Sequence, residues 1–219
     1  MKIILFIFLF TSLYAQSKDA TRILNELKQK FEQINDYEVD AEIKFNLNTI
    51  KIHDSKVKIF YKKPDKFKIK SDSFVMLPKQ GINFHTIFLN QKNFTSIYMH
   101  TDKNKIDVIK VIPISDTSDI ILATLWIDNS KKVINKIETV SKRGGTFLIE
   151  LFYDYNLFLP SSVKFIFGQS TSSENNQNKN FERRNLREPP SGNIIINYKN
   201  YKINKNLPDE IFDNQKSSD

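Results

Sequence analysis

The chain of 219 residues contains no cysteine, which removes thiol chemistry, disulfide bridges and the lipid-modified cysteine that tethers bacterial lipoproteins. Glycine is nearly as scarce, with five in the whole chain, so a glycine-rich loop cradling phosphates is not expected. The three histidines, His53, His85 and His100, stand apart from one another and from any second strong ligand at helical or hairpin spacing. That spacing offers no metal site. No serine sits between the flanking glycines of a nucleophile elbow, and Asp116 and Asp119, set among Ser115, Thr117 and Ser118, read as loop residues. No reaction follows from these residues, and neither a catalytic residue nor a cofactor is expected.

A long hydrophobic run is also missing. The apolar stretch Ile3–Phe10, after Lys2 and before Thr11–Ala15, is too short for the roughly 20 residues that a membrane-crossing helix needs. It has the form of a secretory signal peptide spanning residues 1–15, with cleavage after Ala15. The remainder, 16–219, is expected to be one domain exported to the periplasm. Formal charge is +8. Export argues against nucleic acid as the partner of that charge, and lysines interleaved along strands, such as Lys56, Lys58, Lys66, Lys68 and Lys70, read as a solvated sheet face.

What the chain does have is alternation. Tyr37, Val39, Ala41, Ile43, Phe45 and Leu47 are apolar or small, and Glu38, Asp40, Glu42, Lys44, Asn46 and Asn48 fill the gaps. This is a strand with one apolar and one wet face. Similar segments follow at Ser55–Lys63, Lys66–Ser71, Phe94–His100, Lys105–Ile112, Ile120–Asp128, Val133–Val140 and Thr146–Asp154, then around Val163–Phe167 and Ile194–Tyr198. The predicted class is mainly β, a large antiparallel sheet of about ten strands. One helix precedes it, with Asp19 as its cap and Ile23, Leu24, Leu27, Phe31 and Ile34 at helical spacing. The segment Ile120–Asp128 is apolar on both faces, which predicts cover on both: a core on one side and a helix on the other.

Between Leu77 and Asn93 the pattern changes: Pro78 and Gly81 interrupt it, and Phe84, Ile87 and Phe88 fall at helical spacing. A short lid helix, a flap and a loop pinned by buried phenylalanines all fit. The stretch 169–192 is too polar to bury and is read as a disordered loop. Leu207, Pro208, Ile211 and Phe212 are expected to clip the end of the chain back onto the body.

With 18 phenylalanines and 8 tyrosines but so few helices to pack against the sheet, either a normal aromatic core or a cavity open to an apolar ligand is consistent. The cavity candidates are Val39, Ile43, Phe45, Leu47, Ile59, Tyr61, Phe67, Ile69, Phe74 and Met76.

Several short motifs, taken in order, resemble the Lol-type outer-membrane lipoprotein-sorting carriers (LolA-like and LolB-like proteins). They are Tyr61-Lys62-Lys63-Pro64-Asp65-Lys66-Phe67, then Val108-Ile109-Lys110-Val111-Ile112-Pro113, Leu125-Trp126-Ile127-Asp128 and the closing Asn206-Leu207-Pro208-Asp209-Glu210-Ile211-Phe212. The resemblance implies a half-open, strongly curved antiparallel barrel with helices partly closing its mouth. It implies a monomeric, non-enzymatic carrier holding acyl chains of lipoproteins or lipids, served by an inner-membrane or outer-membrane transfer partner. In those carriers a strand arginine before the proline position fastens the lid, and Lys63 stands at that position here. Lysine has no planar guanidinium fork. A second reading is a periplasmic signalling or scaffold protein on the same fold that binds a membrane regulator.

Overall fold

The computed structural model describes residues 19–48, 51–71, 94–114, 119–142, 145–154, 158–168 and 191–213. Asp19 caps the helix α1 (Ala20–Phe31), its carboxylate accepting from the Thr21 N–H at 2.8 Å and so satisfying one of the free donors of the first turn. Ile23, Leu24 and Leu27 form its buried face. The helix stops before Ile34, because the Glu32 N–H closes the last turn on the Lys28 carbonyl. Ile34 is buried in the connection that follows instead.

Ten strands follow: β1 (Asp36–Leu47), β2 (Ser55–Lys62), β3 (Lys66–Lys70), β4 (Phe94–Thr101), β5 (Ile106–Pro113), β6 (Ile120–Asp128), β7 (Val133–Ser141), β8 (Thr146–Phe152), β9 (Ser162–Phe167) and β10 (Gly192–Ile203). They form one antiparallel sheet in the order β3-β2-β1-β10-β9-β8-β7-β6-β5-β4. β3 and β4 are its edges, so the sheet is not closed. The signal segment, the flap candidates Phe84, Ile87 and Phe88, the cavity candidates Phe74 and Met76, and 169–190 lie outside the described residues.

Curvature follows from two contacts of α1. Its first turn meets β4, with the Thr21 and Ser96 hydroxyls 3.5 Å apart, and its last residue meets β2, with the Phe31 and Tyr61 rings 5.8 Å apart. In a flat sheet, β2 and β4 would be separated by eight inter-strand spacings, roughly 38 Å. The helix advances only about 15 Å between those contacts. The sheet is therefore bent around α1, giving a half-open barrel with the helix lying on its concave side.

The register assigns the faces. Tyr37, Val39, Ala41 and Ile43 on β1 stand opposite Tyr61, Ile59, Val57 and Ser55 on β2, and all point inward. So do Ile109 and Val111 of β5, Ala123, Leu125 and Ile127 of β6, Ile137 of β7, Ile149 and Leu151 of β8, and Val163 and Phe165 of β9. Burying side chains of this size contributes ~1.5–3 kcal/mol each.

β6 departs from the expectation of cover on both sides. Its inward Ala123, Leu125 and Ile127 are buried, but its outward Leu122 and Trp126 are only half-buried, and among the described residues no helix lies on them; a bulge between Ile120 and Leu122 brings Ile120 onto the core and leaves Ile121 exposed. Trp126 is shielded instead by the Lys136 ammonium, 4.1 Å from its ring centre. A lysine stem and a cation–π contact supply locally the shielding for which a helix was expected.

The end of the chain is clipped down as its composition suggests. Leu207 is buried, and Lys62 donates to its carbonyl at 2.7 Å. Lys62 and Lys66 both pair with Asp209, at 2.5 and 3.0 Å.

Candidate functional site

In this antiparallel order the turns β2–β3, β4–β5, β6–β7 and β8–β9 fall at one end of the barrel, and α1 is fastened there. Lys63, in the β2–β3 turn, donates to the Glu32 carbonyl at the end of the helix. Lys30 donates to the Lys131 carbonyl at 2.8 Å and lies 4.2 Å from the Phe158 ring centre; burial holds its ammonium below the ordinary lysine range. Glu26 pairs with Lys132 at 2.8 Å, and that hydrogen bond is the main cause holding the Glu26 carboxyl below its ordinary value.

Beneath the helix the inner face is packed shut by aromatic rings. Tyr37 stacks on Tyr61 at 5.2 Å and meets Tyr201 edge-on at 5.9 Å, while Tyr201 lies 6.0 Å from Tyr198. Burial pushes the Tyr37, Tyr198 and Tyr201 phenols well above their ordinary value, so they stay neutral at physiological pH. The Tyr201 hydroxyl donates to the Pro160 carbonyl and that of Tyr153 to the Ile134 carbonyl. Asp36 locks β1 to the end of β10 by accepting from the Lys205 and Asn206 N–H groups at 2.8 and 3.0 Å.

The opposite end is built differently from similar side chains. Phe147 occupies an inward position near the start of β8, opposite Thr139 and Phe167, yet it is 44% exposed. Phe45, Leu47, Phe94 and Phe167 are half-buried at the same end. The inner face thus runs from sealed to open along the barrel axis and is mainly apolar, with Ser55 and Thr139 as buried polar members.

A groove of about 630 Å³ opens beside this end. It exists because the ladder between β1 and β2 stops at Ile43 and Ser55, whereas β1 continues to Leu47 paired with β10 alone. Segment 51–54 returns without joining the sheet, and the gap it leaves is lined by Phe45, Leu47 and Ile52 together with Lys51 and His53. Gly192, opposite Leu47, completes the wall. Its φ of +145° and the 2.2 Å from an added Cβ to the Asn46 carbonyl oxygen leave no room for a side chain.

The cavity candidates therefore divide. Val39, Ile43, Ile59 and Tyr61 lie in the packed core, and Phe67 and Ile69 are half-buried on the edge strand β3. Phe45 and Leu47 reach the groove. Sequence reasoning did not single out the opposite wall, Phe147, Phe165 and Phe167, or the groove residues Ile52, His53 and Gly192. The alternation Phe147, Ile149, Leu151 and Val163, Phe165, Phe167 carried the signal for the wall; the groove depends on where a ladder ends, and no local pattern encodes that.

No protein-family model and no curated protein matches the chain. Solved structures do. One is a domain described as an outer membrane lipoprotein-sorting protein from Vibrio parahaemolyticus, with TM-score 0.62 and 11% identity, covering 88% of this chain and 95% of that one. The fold is that of the lipoprotein-sorting proteins. A LolA superfamily protein from Nitrosomonas europaea agrees, with TM-score 0.54 and 12% identity over 90% of this chain and 98% of that one. A DUF1329 family protein from Desulfovibrio piger is also similar in fold, with TM-score 0.56 and 10% identity over 90% of this chain and 98% of that one. Among the described residues no helix is long and apolar enough to cross a membrane.

Proposed function

We propose that this LolA-like chain is a non-enzymatic periplasmic carrier, exported by a signal peptide at residues 1–15, whose single domain holds acyl chains of lipids or lipoproteins for transfer toward the outer membrane. It works as a monomer between donor and acceptor membranes. The observation that carries this reading is the exposure of Phe147 on an inner face whose helix end is sealed. Soluble proteins leave large inward-pointing apolar side chains uncovered where something else covers them.

The acyl chain enters at the open end along Phe45, Leu47, Phe94, Phe147 and Phe167, and Val39, Ile43, Ile59 and Tyr61 form the floor beneath. Phe67 and Ile69 border the path at the β3 edge, Phe74 and Met76 extend it, and Phe84, Ile87 and Phe88 act as the lid. Lys63, the lid candidate before Pro64, also fastens the helix through the Glu32 carbonyl.

Each buried methylene contributes ~0.8 kcal/mol in this site and a similar amount in a bilayer. Loading and release are therefore nearly balanced, and transfer needs no chemical step. Organic extraction of the purified protein followed by mass spectrometry is the test. Recovered acyl chains, together with displacement of an apolar dye by added fatty acid, support the reading. An empty extract and no dye binding would sink it.

A further inference from the structure

We infer that the groove beside β1 is a headgroup site, and that the carrier's preferred ligands are amphiphiles with an anionic head, a carboxylate or a phosphate monoester on an acyl chain. This rests on the carrier reading above and adds to it the part of the ligand that stays outside the barrel.

The groove lining has two chemical characters, apolar and polar. Phe45 and Leu47 belong to the inward face of β1 and continue the apolar wall described above, so hydrocarbon leaving the barrel meets no polar barrier there. Ile52 faces them from the returning segment. Beyond them the lining changes to Lys51, His53 and Ser191. Among the described residues no carboxylate lines the groove; Asp54 follows His53 in sequence but does not contribute to the wall.

Asn46 and Asn48 also line the groove, and both are engaged structurally. Asn46 donates its amide to the Asn193 side chain at 3.0 Å, and Asn48 accepts from the Ser191 N–H at 3.0 Å. They shape the wall. Lys51 supplies the net charge, with the His53 ring and the Ser191 hydroxyl as hydrogen-bonding neighbours. The volume of about 630 Å³ lies inside the usual range for ligand sites and exceeds what a bare inorganic anion fills. A cation beside a continuous apolar wall matches an amphiphile: the chain provides burial, and the anion provides a charge-assisted contact that a neutral head lacks.

The test compares heads on one chain. Purified full-length protein carrying a bound apolar dye is titrated with dodecyl phosphate, dodecanoate and dodecanol, and separately with inorganic phosphate. The expected result is that both anionic amphiphiles displace the dye at concentrations about tenfold lower than dodecanol, the size of one charge-assisted contact at a solvent-facing site. Inorganic phosphate displaces nothing. Lys51→Gln brings the ratio between dodecyl phosphate and dodecanol to within about twofold, and so does 0.5 M salt, where charges are screened within roughly 4 Å.

Equal potency of dodecanol and the two anions overturns the headgroup site while leaving the carrier reading in place. A ratio unmoved by Lys51→Gln overturns it as well. Competition by inorganic phosphate alone makes the groove a simple anion site and overturns the amphiphile assignment. If no amphiphile displaces the dye, both this inference and the carrier reading fall.

Discussion

The helix end and the open end of the barrel share one inner face and much the same side chains, yet they differ in what the chain places over them. At the helix end, Leu24 and Leu27 of α1 join Val39, Ile127 and Ile137 in one core, and all are buried. At the open end, Phe147 meets solvent. Side-chain type therefore does not separate structural from functional residues on this wall. Cover does: an apolar side chain under the helix contributes to folding, and one beyond its reach is available to a ligand.

That contrast is broken or sharpened by substitution. Leu24 is fully buried, so Leu24→Ala is expected to cost about 2–5 kcal/mol by losing its contacts and leaving a cavity. Urea unfolding measures it. The buried Asp36 carboxylate accepts two backbone N–H groups where β1 meets the end of β10. Asp36→Ala should cost roughly 2–3 kcal/mol through the stranded donors, again read from the urea midpoint, with acyl binding retained by the folded fraction.

Phe147→Ser is the opposite case. It should change stability by less than about 1 kcal/mol, the usual range for a surface position, while weakening apolar dye binding severalfold in fluorescence titration. A large loss of stability with unchanged dye affinity would show that the open end is structural too.

The smallest effects concern charge. Hydrogen bonding by Lys58 is the main cause holding Glu38 below the ordinary carboxylate range, and hydrogen bonding by Asn200 and then Lys58 does the same for Asp40. A carboxyl depressed by folding adds stability that is fully present above its unfolded value and is lost as the pH falls toward the lower folded one. Thermal midpoints should hold steady from pH 7 to about 5 and decline below that. Glu38→Gln should flatten the decline. Glu26→Gln, at the half-exposed pair with Lys132, is expected to lower stability by at most about 1 kcal/mol.

Much of this architecture was legible from alternation alone. Residues 36–47 repeat with period two, and Asp19 before Ile23 and Leu24 marks the helix start; both signals are local and both are realised. The turn at Asp128 was readable for the same reason, its carboxylate accepting from the Ser130 and Lys131 N–H groups. The misreading of β6 has a physical cause: a strand apolar on both faces looks doubly buried, but Lys136 can cover Trp126 without any helix. The groove was not legible, because it arises from partner choice. β1 outruns β2 by four residues, Lys44–Leu47, while keeping β10 beside it, and pairing across some 150 positions leaves no trace in either segment by itself. Which apolar residues lie under the helix was hidden similarly, since period two fixes a face but not the position of a helix along it.

The seam between the first strand and the last has a kinetic corollary. Phe45 waits for Ile194, and Tyr37 for Ile203, so a chain emerging from the ribosome carries β1 with one flank bare until nearly every other strand has been made. Closing so long a loop is entropically slow. During that interval the exposed backbone edge can recruit a stray strand, which makes the newborn protein a natural client for a holding chaperone.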